Sequence, residues 1–248
     1  TVVVTVNATP TASAGSAKSI CIGDSTTLGV ATTDSVSSVG SYVGTTTSFP
    51  FNTASEDNRT QMLYWKNELL AAGLRRGYLT AIAFKVVSTA GTTAMSSFLV
   101  SMKNTADTNL STGFRSGLTS VLSMSSYSPQ ARWDTLYLDT PFPWDGTNNL
   151  LIETCFDNTS AASSGFSVER SSMPGYRSTY YTGTGGCGSS ASFISFSRPL
   201  IKLIWKPNKY EWSPSAGLNR STVSAPRASP SGTTTYSLTV TDSNACAS

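Results

Sequence analysis

The chain contains no histidine, and only 12% of its 248 residues are charged. Without histidine there is no Ser-His-Asp triad, no Cys-His nucleophile pair and no His-ligated zinc. No Gly-x-x-x-x-Gly-Lys loop is present to cradle a phosphate. The 17 basic residues are dispersed among 14 acidic ones, for a net charge of +3. No basic run tracks a phosphate backbone, which argues against nucleic acid as a partner. No apolar run reaches bilayer-spanning length, so membrane insertion is not expected. No charged-then-apolar leader opens the chain, and a secretion signal is expected outside it. The four cysteines, Cys21, Cys155, Cys187 and Cys246, are too far apart for a zinc knuckle.

Serine, threonine and glycine fill much of the remainder, beside a 39% hydrophobic fraction. That is the composition of an extracellular β protein. An even cysteine count in such a chain suggests two disulfides in an oxidising compartment, with three connectivities open. The last strand, Thr234–Thr241, places Tyr236, Leu238 and Val240 on one face and Ser237, Thr239 and Thr241 on the other. This is the period-2 pattern of a half-buried strand. Residues 1–7 read almost the same: Val2, Val4 and Val6 fall on Tyr236, Leu238 and Val240 at an offset of 234 residues. This suggests one period of a tandem array, with residues 1–8 as the closing strand of a preceding unit or a linker. Further strands are expected at Thr45–Phe51, Leu79–Val87, Ser97–Asn104, Thr135–Leu138, Asn149–Asp157, Gly165–Arg170, Ser192–Phe196 and Arg198–Trp205. Gln61–Leu74 holds the one helical pattern, predicting a short helix near Lys66–Ala72.

Residues 13–32 and 210–246 carry Cys-x-Gly-x-Ser at Cys21–Ser25, Trp212-Ser213-Pro214, Ala228-x-Pro230 and Thr235-Tyr236 leading to Val240-x-Asp242. On these motifs, roughly residues 9–36 and 209–246 resemble the immunoglobulin-like, PKD-like repeats of large secreted surface proteins of Bacteroidota. The terminal Asn244-Ala245-Cys246 departs from the more usual Asn-Gly-Cys of those repeats. Residues 59–86, 98–105 and 142–158 resemble a jelly-roll module of the same class of proteins. The resemblance implies an all-β chain: an immunoglobulin-like β-sandwich split over residues 9–39 and 207–248, with an inserted antiparallel jelly-roll-like β-sandwich at 40–206 carrying one short helix. Insertion requires the guest's ends to lie close together, which antiparallel pairing of Thr45–Phe51 with Arg198–Trp205 would satisfy. Cys21–Cys246 and Cys155–Cys187 are then the favoured bridges, because each stays inside one proposed domain.

Candidate chemistry is sparse. Glu153 and Asp157, or Asp134 and Asp139, could pair as glycosidase carboxylates. Glu153, in an apolar strand, reads better as a structural carboxylate partnered by Arg170 or Arg198. The Trp144–Asn149 turn reads as a hairpin loop over Trp144; as a calcium site it would draw on Asp145 and Asp157. No other cofactor is expected. Tyr176, Tyr180 and Tyr181, in a Ser/Gly-rich segment, are the candidate sugar-stacking residues. The resemblance also implies O-glycosylation at Asp-Ser/Thr-aliphatic triplets, here at Ser35 and Thr135. The resulting expectation is a non-catalytic structural or adhesive repeat of an extracellular cell-surface protein or filament, a type IX secretion cargo. Its partners would be neighbouring copies and surface glycans. The alternative is a carbohydrate-binding module of a secreted multidomain protein; a free-standing hydrolase is disfavoured.

Overall fold

Alternating and β-branched stretches account for most of the regular structure. The computed structural model describes residues 8–29, 32, 34–190, 193–242 and 244–248. Its strands are β1 Thr26–Thr27, β2 Ser35–Val39, β3 Gly44–Thr46, β4 Asp57–Tyr64, β5 Gly77–Ser88, β6 Met95–Thr105, β7 Thr119–Tyr127, β8 Trp133–Trp144 and β9 Asn149–Asp157. They continue with β10 Ser167–Ser172, β11 Ser178–Gly183, β12 Phe193–Ser195, β13 Ser197–Pro199, β14 Ile201–Lys206, β15 Asn208–Ser213, β16 Arg227–Ala228 and β17 Ser237–Asp242. One α-helix, α1 (Lys66–Ala71), and one 3-10 turn at Gly186–Gly188 complete the set. The chain is all-β. The repeat-like segment at residues 1–7 lies outside the described residues.

The chain divides into two compact units: the stretch ending at Ser35 together with Lys206–Ser248, and Val36–Trp205. The second unit begins four residues before the expected position 40, because β2 already belongs to its sheet.

The Val36–Trp205 unit is a β-sandwich. One sheet runs β13-β10-β5-β14-β2, with β3 added on β10 and β8 on β5; the other runs β12-β11-β4-β9-β6-β7. The core between them draws Ile82, Phe84, Val168 and Leu203 from the first sheet and Met62, Tyr64, Phe98 and Ile152 from the second. The pairing expected between Thr45–Phe51 and Arg198–Trp205 is not made. β3 instead pairs antiparallel with Val168–Arg170 of β10, and β14 lies beside β2. The unit's ends therefore meet through Ser35–Val39. Phe49 and Phe51 leave the ladder and bury their rings, at 3% and 0% exposure.

The sequence reading missed β4, β7 and β11, along with the short β2 and β16. β4 is buried on both faces, so it shows no alternation. Met62 and Tyr64 enter the main core, while Leu63 packs with Leu151 and Leu110 beneath Trp65 and Leu118. The chain then turns at Trp65 into α1, as predicted near Lys66–Ala72. Glu68 accepts the Trp65 N–H at the helix start, and Leu69 is buried below.

In the other unit, β15 pairs antiparallel with β17 over Asn208–Ser213 and β1 with β16 over Thr26–Thr27. Trp212, Ala228 and Val240 are buried, and the Trp212 indole donates to the Val223 carbonyl at 2.9 Å. The chain end folds back, so that Val240 and Ser248 exchange N–H···O bonds of 3.1 Å each way. The expected Cys21–Cys246 bridge is absent: Cys21 is an exposed free thiol and Cys246 a half-buried one. Each backbone is fixed by its own local turn. The Cys21 carbonyl accepts the Asp24 N–H, while Cys246 bonds twice to Asp242, through its N–H to Oδ1 and its carbonyl to the N–H.

Candidate functional site: an aromatic sheet edge

Tyr180 and Tyr181 are consecutive on β11, so they point to opposite faces of the sheet. The tyrosine cluster expected from sequence therefore divides. Tyr181 turns to the Gly183–Gly185 loop, where its hydroxyl accepts the Thr184 N–H at 3.1 Å. Tyr180 pairs across the ladder with Phe193 of β12, the edge strand, and the rings stack at 5.1 Å and 21°. Phe49 tilts against Tyr180 at 5.0 Å. Tyr176 stacks on Phe196 at 4.5 Å and 23°. The Arg177 N–H donates to the Ser195 carbonyl, one residue out of step with the Ser178–Ser195 pair of the β11–β12 ladder. Tyr176, just before β11, meets Phe196 in the bend just after β12.

The outer rings remain open. Phe193 and Phe196 are each 49% exposed, and Ile194 between them is 42% exposed. The two stacked ring pairs thus flank Ile194 and Ser195 along the sheet edge. Flat rings on solvent take the apolar face of a ring-shaped ligand, while nearby serine and threonine hydroxyls take its polar edge. Phe193 and Phe196 were legible only as strand residues; the stacking that makes them a surface comes from cross-strand register.

Beside this edge the chain buries two guanidinium groups. Arg177 is fully buried beneath Trp65, 3.2 Å from the ring centre, with its Nε–H donating to the Pro174 carbonyl at 2.8 Å. Arg198 is fully buried over Tyr64; it donates to the Leu63 carbonyl at 2.7 Å and grips both oxygens of Glu68. Glu68 also lies 4.0 Å from Arg177. Burial, aided by the neighbouring Arg198 charge and opposed by Glu68, pushes the Arg177 pKa down to about 10. These groups hold α1 and the Tyr176–Ser178 segment against β4.

The other candidates take structural positions. Glu153 is partnered by Arg59 at 2.9 Å and Gln61 at 2.8 Å, not by Arg170 or Arg198. Those two arginines are committed elsewhere, Arg170 to Thr45 and Ser197, and Arg198 to Glu68. Asp134 accepts the Tyr127 hydroxyl at 2.8 Å, and Asp139 the Ser123 N–H at 3.0 Å. Trp144 is buried under the β8–β9 hairpin, its indole donating to the Asn148 carbonyl. Asp145 is consumed by that turn. Its oxygens accept the Thr147 and Asn148 N–H groups and the Asn148 side-chain amide, which hold its carboxyl below the usual range against the opposing effect of burial. It does not meet Asp157. Asp157 stands instead directly across from buried Asp57 in the β4–β9 ladder. Burial raises the Asp57 pKa; the Gly186 N–H opposes this, and the Asp157 and Glu56 carboxylates add to it. Among the described residues, no three or more Asp, Glu, His or Cys side chains converge as a metal site. Ser35 and Thr135 are both exposed, though Asp134 and Leu136 beside Thr135 are buried.

The Cys155–Cys187 bridge is formed, with a Cα–Cα distance of 5.7 Å across 32 residues. It fastens the Gly183–Gly188 loop to β9. Reducing it is expected to lower the unit's stability by about 2–4 kcal/mol. A fall in the urea midpoint on adding reductant, absent in a Cys155→Ala/Cys187→Ala double variant, checks this.

A scan against family models returns no match, and no curated protein and no solved structure matches the chain.

Proposed function

We propose that this chain is a non-catalytic adhesive module of an extracellular surface protein, and that its β11–β12 edge attaches to carbohydrate. The observation that carries this reading is the pair of stacked rings, Tyr180–Phe193 and Tyr176–Phe196, whose outer members are half exposed. Sugars present flat C–H faces to such rings, and a strand edge suits an extended polysaccharide better than a closed pocket would. The formed Cys155–Cys187 bridge supports an oxidising compartment. The near-repeat of residues 1–7 at 235–241 supports tandem copies as the neighbours. The PKD-like and jelly-roll-like resemblances belong to the same reading.

The test is a glycan array probed with the wild type and a Phe193→Ala/Phe196→Ala variant. At about 1 kcal/mol per ring, the double change is expected to weaken binding by tenfold or more. Tyr137→Ala, which removes a 66%-exposed tyrosine from β8 in the other sheet, should leave binding intact. A blank array for the wild type would refute glycan attachment and leave a spacer or stalk. A parent gene with one copy of the unit would remove the tandem arrangement.

A further inference from the structure

Asp57 opens β4 and Asp157 closes β9, so both fall at one end of the sheet and face each other directly in register. Gly183 of β11 sits opposite Asp57 on its other side. Directly opposed carboxylates repel, and nothing in the ladder requires an acid at either position. Asp57 is 2% exposed, and one of its oxygens, Oδ2, accepts the Gly186 N–H at 2.6 Å. Its other oxygen, Oδ1, is buried and meets no donor among the described residues. The Asp157 side chain is its cross-strand neighbour, and a carboxylate supplies no donor. A buried carboxylate oxygen facing a second carboxylate calls for a positive charge between them. Meanwhile the Gly183–Gly188 loop is drawn over the same sheet end by the Cys155–Cys187 bridge, two residues from Asp157.

We propose that Asp57 Oδ1 and the Asp157 carboxylate hold a calcium ion at this end of the sheet. The donors are oxygens, there is no histidine in the chain, and Cys187 is locked in its disulfide, which disfavours zinc. Calcium tolerates irregular oxygen shells completed by water, whereas magnesium demands a regular octahedron. Two carboxylates give a weak site, with a dissociation constant of about 10⁻⁴–10⁻³ M, the range of extracellular modules. The ion would join β4 to β9 beside the disulfide loop. This is a different position from the Asp145 turn, and it does not depend on the carbohydrate reading.

The experiment is a thermal melt of the full chain, stripped with EGTA and then returned to 10 mM CaCl₂ or MgCl₂. Calcium is expected to raise the midpoint by about 3 °C or more, the size that ligand linkage gives at roughly tenfold saturation in a domain this large. Magnesium should give less than half of that rise. Asp57→Asn should abolish the response. Asp157→Asn, at an exposed position, should abolish it too. Asp145→Asn should keep it. If the two carboxylates instead share a proton, the wild type will not respond to calcium. That result, a response retained in Asp57→Asn or Asp157→Asn, or an equal response to magnesium overturns the proposal.

Discussion

Glu68→Ala is expected to cost about 3–5 kcal/mol of the stability of the Val36–Trp205 unit. Glu68 is the carboxylate gripped by fully buried Arg198 and placed 4.0 Å from fully buried Arg177. Its removal leaves two desolvated guanidiniums facing each other without a counterion. Two Arg177 nitrogens already meet no acceptor among the described residues, so none of these is in place to replace Glu68. The loss also frees the Trp65 N–H that Glu68 accepts at the start of α1. Glu68→Gln keeps the shape but not the charge and should recover only part of the loss. By contrast, Glu68→Leu combined with Arg177→Met and Arg198→Met removes the whole charge group and should lie much closer to wild type, because apolar replacements of a buried ion group are often neutral. Urea unfolding followed by tryptophan fluorescence measures all three. A single-variant loss under 1 kcal/mol would show that solvent reaches the cluster.

Phe51→Ala should destabilise the same unit by a similar amount, about 3–5 kcal/mol, for a different reason. Phe51 lies outside every strand, yet it is fully buried and central to the aromatic core. Its ring stands edge-on to Phe84 at 5.0 Å, to Tyr127 at 5.8 Å and to Phe166 at 6.5 Å, with Phe98 at 5.9 Å. Phe84 is on β5 of one sheet, while Phe98 and Tyr127 are on β6 and β7 of the other. Truncation opens a cavity that both sheets share and neither can fill by shifting alone. Phe51→Leu should cost less than half as much. A small change for Phe51→Ala by chemical unfolding would mean that the two sheets close over the gap.

The all-β class, the helix at Lys66 and the choice of Cys155–Cys187 were available from the sequence. Each rests on local information: period-2 alternation, a short run with helical spacing, or the even cysteine count under a proposed division. Where both faces of a strand are buried, that signal disappears. β4 was partly read as helix because Met62, Leu63 and Tyr64 are all apolar, Met62 and Tyr64 facing the main core and Leu63 the opposite face. Which residues become neighbours across strands was decided only by closure of the two sheets. The stacking of Tyr180 on Phe193, the partnership of Glu153 with Arg59 and the opposition of Asp57 to Asp157 join residues between 13 and 100 positions apart. Side-chain alternation fixes which face a residue occupies once its strand is placed, but it carries no record of which strand lies alongside. Register therefore made an aromatic edge from two phenylalanines that read as ordinary strand residues. It also separated Asp157 from Asp145 and set it against a buried carboxylate.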